Sequence, residues 1–165
     1  MAGLSVQDLF VLLSQSIERA EAALGARHVL VPLEPWVLGD ETTDAATATG
    51  RGHLVSTRAG KQVPALPARC LALLAEGRSE VGRTSRAAVD VDQPTVSRLH
   101  AEINCVGGVF SLRDRGSYNG TMINHHVLEQ GEAQVLRDGD VVTFGEAQLV
   151  FGELNFIAGL VRTQT

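Results

Sequence analysis

The sequence predicts an all-β protein, a sandwich or barrel, preceded by one N-terminal helix. From residue 53 onward, short apolar stretches recur at roughly even spacing between Gly, Pro, Asp and Asn, which is typical of strands joined by turns. The three- and four-residue spacing of a helix occurs in residues 5–24 and not between those stretches. The 165 residues, 44% hydrophobic and 20% charged, suffice for one domain of about 100–150 residues plus an appendage, which excludes a large multidomain enzyme.

The N-terminal helix is predicted over residues 5–24, because apolar side chains recur on one face from Val6 to Leu24. Ser5 and Asp8 have the spacing of a capping box, and Gly25 stands where a helix ends in a left-handed residue. Such a helix is most often packed on its own domain, but the apolar stripe is broad enough to suit a partner helix or a second copy of the chain as well. Self-association through this helix is therefore one predicted interaction.

Residues 28–38 are apolar but contain Pro32 and Pro35, which cannot donate hydrogen bonds inside a sheet. They are predicted to form an edge strand or an extended arm. Residues 39–52 are small and polar without apolar periodicity, which indicates a linker. The predicted organisation is an N-terminal helix, arm and linker (1–51), a β-rich domain (52–154), and a C-terminal tail or last strand (155–165).

Ten strands are predicted after the linker, and no cofactor is predicted. They are residues 53–56, 71–74, 89–91, 100–106, 109–113, 121–123, 127–128, 133–136, 141–144 and 148–151. Cys70 and Cys105 are too few for a disulfide framework or a zinc site, and no other metal or cofactor site is predicted.

The charge balance and the hydropathy exclude two classes of partner. With 19 acidic and 14 basic residues, the formal charge of −5 gives no reason to expect a nucleic acid. Apolar runs long enough for a membrane span, about eighteen residues, are absent from the sequence, as is a signal peptide. We therefore expect a cytoplasmic protein.

The residues that carry chemistry lie between Val81 and Gly152. Two arginines and a serine hydroxyl, brought together on loops, would bind a phosphate dianion by charge-assisted hydrogen bonds. The motifs are Gly82-Arg83, then Ser97-Arg98-Leu99-His100-Ala101, then Asp114-Arg115-Gly116-Ser117-Tyr118-Asn119-Gly120-Thr121, then Asn124, and finally Asp138-Gly139-Asp140 leading into Phe144-Gly145.

The order and spacing of these motifs closely resemble the forkhead-associated (FHA) domain, a phosphothreonine-binding β-sandwich of signalling proteins. The combined pattern is specific, although Gly-Arg or Asn-Gly-Thr alone would be weak. The resemblance, to the small bacterial type of FHA protein, implies a sandwich of about eleven strands in two twisted sheets with the binding loops at one end. The N-terminal helix and extended arm lie outside what it covers.

The resemblance also implies a role for individual residues in a phosphopeptide site. Phosphate would be bound by Arg83, Ser97 and Arg98, and the ligand backbone by Asn119. Further predicted peptide contacts are Tyr118 and Asn124, and the residues that shape the loops are His100, Gly82, Gly120 and Thr121.

Two residues depart from the commonest pattern of the family. Tyr118 stands where a small hydroxyl residue often contacts phosphate, and His125 replaces the glycine of the usual Asn-Gly turn. A non-glycine residue at this turn has to accept a positive φ, which puts the contact of Asn124 with the peptide in question.

The predicted function is a phosphothreonine-peptide adaptor that acts downstream of a Ser/Thr protein kinase. An enzyme is not predicted, since Ser97 and His100 lack a nucleophile elbow and a third orienting group. One alternative is a structural module of an assembly or secretion apparatus with a weak or vestigial peptide site, which the two departures favour.

A second alternative is a self-inhibited switch. The segment Glu41-Thr42-Thr43-Asp44 resembles the acidic segment that is phosphorylated in some small bacterial FHA proteins and then occupies their own site. Thr42 and Thr43 are accordingly predicted phosphorylation sites.

Overall fold

A computed structural model of the chain describes residues 4–32, 57–58, 61–62, 70–73, 75–84 and 87–163. The predicted linker, the predicted strand 53–56, and Thr42 and Thr43 lie outside the described residues. The helices are α1 (Val6–Gln15), α2 (Ile17–Leu24) and α3 (Leu154–Thr163). The strands are β1 (His28–Pro32), β2 (Thr57–Arg58), β3 (Lys61–Gln62), β4 (Leu71–Ala72), β5 (Gly77–Gly82), β6 (Val89–Asp90), β7 (Ala101–Val106), β8 (Val109–Asp114), β9 (Thr121–Ile123), β10 (His126–Val127), β11 (Ala133–Val135), β12 (Val141–Phe144) and β13 (Ala147–Glu153).

Two sheets form a sandwich, which confirms the predicted fold class. Within the described residues, the larger sheet has the order β10-β9-β12-β13-β1-β4 and the smaller one β11-β8-β7-β5-β6, eleven strands in all. β2 and β3 pair with each other apart from both sheets. A core between the sheets contains Val81, Ile103 and Leu112 from one sheet and Leu30 and Phe144 from the other.

Most predicted strands are present with ends that differ by one or two residues. Sequence analysis missed β5, because Gly-Arg-Ser-Glu-Val-Gly has one large apolar side chain and shows no clear alternation. Its inward side is nevertheless buried at Ser79 and Val81. The hydrogen-bonded pairing with β7 over five residues stabilises β5 as a strand, which its side-chain pattern alone does not indicate.

The strand β1 lies inside the larger sheet, between β13 and β4, and not at an edge as predicted. The prediction rested on the prolines, but β4 pairs only with Val29 and Leu30. Within the described residues, the ladder on that side therefore does not reach Pro32, where the missing N–H would matter. Residues on both sides of the predicted linker thus belong to one sheet.

The predicted N-terminal helix is two helices, because Ser16 interrupts it with an extended φ of −165° and ψ of 139°. The Ser16 hydroxyl donates to the Glu18 carboxylate, a local bond of the kind that favours a break. Both predicted ends are confirmed: Ser5 Oγ accepts the N–H of Asp8 at 3.0 Å, and Gly25 is left-handed at φ 68°.

The helices cover the outer face of the larger sheet and form a second core with it. Val29 and Val31 of β1 face this core while Leu30 faces the first one, so the strand is buried on both sides. The apolar stripe of α1, which includes Leu9 and Leu13, is buried in the same cluster. The stripe that suggested self-association is therefore already packed against the chain itself.

The C-terminal segment is the helix α3, which corrects the predicted tail or last strand. Leu154, Ile157 and Ala158 have helical spacing and are buried in the second core. A strand would have turned Ile157 and Ala158 to opposite sides, whereas a helix buries both. None of the helices in the described part of the chain is long and apolar enough to cross a membrane.

Candidate functional site

Four loops meet at one end of the sandwich, which we call the loop end: residues 83–84, 95–99, 115–120 and 145–146. The backbone N–H of Arg83 donates to the Ser97 carbonyl at 3.0 Å. The N–H of Tyr118 donates to Ser97 Oγ at 3.0 Å, and Asn119 Nδ2 donates to the Thr95 carbonyl at 2.8 Å. Most of the residues that the sequence selected are thus brought together here.

Gly82 lets the first two loops approach each other. A Cβ at this position would lie 1.9 Å from the backbone oxygen of Arg98, so no side chain fits. The close approach brings the backbone of Arg83, the next residue, against that of Ser97. Both arginines therefore flank the same serine.

His100 is fully buried and joins two of the loops. Its Nδ1 accepts the N–H of Ser97 at 3.0 Å, so its Nε2 carries the proton that is donated to the Gly120 carbonyl at 2.9 Å. Burial lowers the pKa of His100, and this outweighs the Gly120 carbonyl and the Asp114 charge, which raise it. The imidazole is therefore neutral near pH 7 and serves to position the loops.

Two guanidinium groups at the loop end have no ion-pair partner in the described ranges. The Arg83 side chain is exposed and donates through Nη1 to the Pro94 carbonyl at 3.3 Å. Arg98 is also exposed. By contrast, Arg78 and Arg115 both form salt bridges with the Glu102 carboxylate on the outer face of the smaller sheet. The net positive charge of the loop end is therefore available to an anion.

The Ser97 hydroxyl is held in one orientation by the loop that faces it. Because its oxygen accepts the Tyr118 N–H, its own proton is left for another acceptor. The Tyr118 ring is 93% exposed, so the backbone of this residue, and not its side chain, makes the contact.

Sequence analysis did not select Thr95 and Gly145, which complete the wall beside Asn119. Thr95 accepts from Asn119 through its carbonyl and from the N–H of Glu146 through Oγ1 at 3.0 Å. A Cβ on Gly145 would lie 2.4 Å from the Thr95 oxygen. The only sequence signal was the Gly145 that ends the last motif.

Asp114, the first residue of the third motif, was given no role, although its side chain organises the loop that carries Tyr118 and Asn119. It is buried and accepts the hydroxyl of Thr121 at 2.6 Å. Burial acts to raise the pKa of Asp114, but hydrogen bonds from Ser117, Thr121 and two backbone N–H groups outweigh it and lower the pKa. A signal was present, since an Asp two residues before a glycine is typical of a side-chain-stabilised turn.

Asn124 does not lie at the loop end, which corrects its prediction as a peptide contact. The strand β9 carries the chain from Gly120 to the far end of the sandwich, called the opposite end below (residues 124–125 and 137–140). There Asn124 Nδ2 donates to Asp140 at 2.8 Å and its Oδ1 accepts the N–H of Val141 at 2.9 Å. Both Asn124 (φ 50°) and His125 (φ 67°) are left-handed, as the turn requires.

Fold and loops together define a β-sandwich recognition domain, and comparison with known proteins places it in a family. The FHA-domain family model matches residues 79–145. The glycogen accumulation regulator GarA of Mycolicibacterium smegmatis is 40% identical over 79 residues, which cover 48% of this chain and 48% of GarA. An oxoglutarate dehydrogenase inhibitor of Corynebacterium diphtheriae is 36% identical over 123 residues, 71% of this chain and 82% of that protein.

The fold is also that of a solved structure. The FHA domain of the CT664 protein from Chlamydia trachomatis superposes with a TM-score of 0.52, covering 78% of this chain and 98% of that one at 18% identity. Such low identity establishes the fold alone. The sequence matches and the fold agree, and the chain belongs to the FHA-domain family, with small bacterial regulators among its relatives.

Proposed function

We propose that this chain is a non-catalytic adaptor that binds phosphothreonine peptides produced by a Ser/Thr protein kinase. The observation that carries the proposal is the grouping of Arg83, Ser97 and Arg98. Two exposed guanidiniums without ion-pair partners in the described ranges flank a hydroxyl whose proton has no acceptor there. Charge-assisted hydrogen bonds from these groups match the oxygens of a phosphate dianion.

Asn119 supports a peptide rather than a free phosphate as the ligand. Its Nδ2 is bonded to Thr95, while its Oδ1 accepts no hydrogen bond from the residues that the structure describes. That oxygen can accept a backbone N–H of an extended peptide. The family resemblance implies threonine as the phosphorylated residue, and the exposed Tyr118 ring is available to contact neighbouring side chains of the peptide.

A regulatory role is supported by what the relatives are called. One is a glycogen accumulation regulator and another an inhibitor of oxoglutarate dehydrogenase. A protein that regulates or inhibits by binding needs no catalytic group. We therefore infer that binding to a phosphorylated partner is the activity of this chain.

Titration of the full chain with matched phosphothreonine and unphosphorylated peptides from a library tests the proposal. We expect binding of the phosphorylated peptides only, and Arg83→Ala to weaken it by about 10- to 100-fold, the value of one or two charge-assisted bonds. Arg137→Ala is the matched control, because Arg137 is an exposed arginine at the opposite end. Equal binding of both peptide forms, or equal loss in both variants, would contradict the proposal.

The direction of β1 favours a second candidate, the self-inhibited switch. Pro32, the last residue of β1, pairs with Leu149, three residues beyond the 145–146 turn at the loop end. The chain therefore leaves β1 close to the site. Thr42 follows Pro32 by ten residues, which can span at most about 33–36 Å. A phosphate on Thr42 or Thr43 would meet Arg83 at a high effective concentration.

Phosphorylation of the full chain at these threonines by a purified kinase tests the switch. We expect the phosphorylated chain to lose its affinity for an external phosphothreonine peptide and a Thr42→Ala/Thr43→Ala variant treated in parallel to keep it. Unchanged peptide affinity after complete phosphorylation of both threonines would eliminate the switch and leave the adaptor function intact.

A further inference from the structure

Asp114, the last residue of β8, turns its carboxylate into the 115–120 loop. Its Oδ1 accepts the backbone N–H groups of Gly116 and Ser117 at 2.8 and 3.0 Å. Its Oδ2 accepts the hydroxyls of Ser117 and Thr121, both at 2.6 Å. Ser117 Oγ then accepts the N–H of Gly120 at 3.0 Å. One buried side chain therefore determines the path of the whole loop.

The path of this loop determines what the Ser97 hydroxyl can do. Tyr118 follows Ser117 directly, and its N–H reaches across to Ser97 Oγ at 3.0 Å. A hydroxyl that accepts in one direction places its proton in another, where a ligand oxygen can receive it. Without the Tyr118 N–H, the hydroxyl could rotate and would lose this preference.

We propose that Asp114 is a positioning residue of the phosphopeptide site, which holds the Tyr118 N–H against Ser97 so that the Ser97 hydroxyl donates to a phosphate oxygen. The proposal rests on the proposed function for its ligand, and on the ligand-free contacts for its mechanism. Asp114 itself touches no phosphate in this account. Its effect on phosphopeptide affinity therefore depends on the Ser97 hydroxyl.

Asp140 offers a matched control within the same chain. It also organises a loop, since its Oδ1 accepts Asn124 Nδ2 and its Oδ2 accepts the N–H of Arg137, both at 2.8 Å. Its loop lies at the opposite end of the sandwich and has no contact with Ser97 in the described residues. Asp140→Asn thus makes the same chemical change at a less buried loop aspartate, away from the site.

The first test is a double-mutant cycle on phosphothreonine-peptide affinity. We expect Asp114→Asn to weaken binding by about tenfold in the natural chain and by less than about twofold in a Ser97→Ala background, because the route ends at Ser97. Asp140→Asn should leave affinity within about twofold in both backgrounds. Equal losses from Asp114→Asn in the two backgrounds, or an equal loss from Asp140→Asn, would overturn the proposal.

The second test needs no ligand and separates this proposal from the proposed function. Amide hydrogen exchange of Tyr118, followed by NMR in the full chain, should be about tenfold faster in Asp114→Asn and in Ser97→Ala but unchanged in Asp140→Asn. Unchanged exchange in Asp114→Asn would overturn the positioning role. This exchange pattern without any phosphopeptide binding would instead reject the proposed function.

A third variant keeps the test decisive if Asp114→Asn does not fold. Ser117→Ala removes the hydroxyl that joins Asp114 Oδ2 to the Gly120 N–H and leaves the carboxylate in place. The same acceleration of Tyr118 exchange is expected, to a smaller degree. Exchange as slow as in the natural chain would count against the proposal.

Discussion

The loop end and the opposite end of the sandwich are both organised by an aspartate, yet within the described residues only the loop end has two exposed arginines without ion pairs on either side of a serine hydroxyl. At the opposite end, Asn124 and Asp140 bond to each other and to neighbouring backbone groups. At the loop end, Asp114 accepts hydrogen bonds from the backbone and hydroxyl groups of its loop, while Arg83 and Arg98 stay exposed and without ion pairs in the described ranges. A polar group that already makes its hydrogen bonds within the protein gains little from a ligand, because the ligand has to replace those bonds. Polar groups without such bonds therefore indicate a binding site better than the number of polar residues does.

The two asparagines of the motif region illustrate the same difference. Asn119 and Asn124 are five residues apart, but the short strand β9 lies between them and places them at opposite ends of the sandwich. Asn119 keeps its amide oxygen free of the described residues, whereas both polar atoms of Asn124 are occupied. The family resemblance therefore implied a peptide contact for Asn124 that its place at the opposite end does not support.

The largest effect is expected where the loop end is most tightly packed. Gly82→Ala should cost about 3 kcal/mol of unfolding free energy or more, because its Cβ would meet the Arg98 backbone, which cannot move aside cheaply. Urea unfolding measures the loss. Gly159→Ala in α3 is the control: nothing lies within 4 Å of its Cβ, so it should stabilise the chain by about 0.5–1 kcal/mol. A neutral Gly82→Ala would show that the loops do not need this close approach.

A smaller, pH-dependent effect is expected from His100. Its pKa is lowered in the folded chain, so below about pH 6.5 the unfolded chain takes up a proton that the folded chain resists. The contribution of His100 to stability is thus fully present above that pH and is lost as the pH falls towards its folded pKa. Unfolding curves from about pH 7 to about pH 5 should show this slope, and His100→Gln should reduce it.

The control for this slope is His126→Gln. His126 is exposed at the start of β10, far from the loop end, and should leave the pH dependence unchanged. A slope that survives His100→Gln would assign the pH dependence to other groups and would remove the argument for a neutral His100.

The smallest effect is expected at the turn of the opposite end. His125 has φ 67°, a left-handed conformation that is unfavourable for a residue with a side chain. His125→Gly removes this cost but adds conformational entropy to the unfolded chain, so the net stabilisation should be about 0.5–1 kcal/mol. Thermal unfolding measures the gain, and phosphopeptide affinity should not change. His126→Gly, at a strand position next to it, should destabilise instead. A change of affinity in His125→Gly would connect this turn to the site after all.

The sequence predicted the sandwich and most of the loop end because both depend on local patterns. Short strands between turn residues indicated the fold, and the resemblance of the motifs to the FHA domain selected Arg83, Ser97 and Asn119. Asp114 was given no role and Thr95 was not selected, because their roles come from hydrogen bonds of particular side chains that the sequence pattern does not indicate. The position of β1 was mispredicted because Pro32 is the last residue of the strand: it pairs with β13, while the described pairs with β4 are at Val29 and Leu30.

The most direct test of the account is an NMR titration of the 15N-labelled full chain with a phosphothreonine peptide. We expect shift changes at the amides of Arg83, Ser97, Tyr118, Asn119 and Gly120, and none at residues 124–125 or 137–140. The unphosphorylated peptide should cause neither. Changes centred on the opposite end, or the same changes with both peptides, would contradict the central claim that the loop end binds phosphate through its free groups.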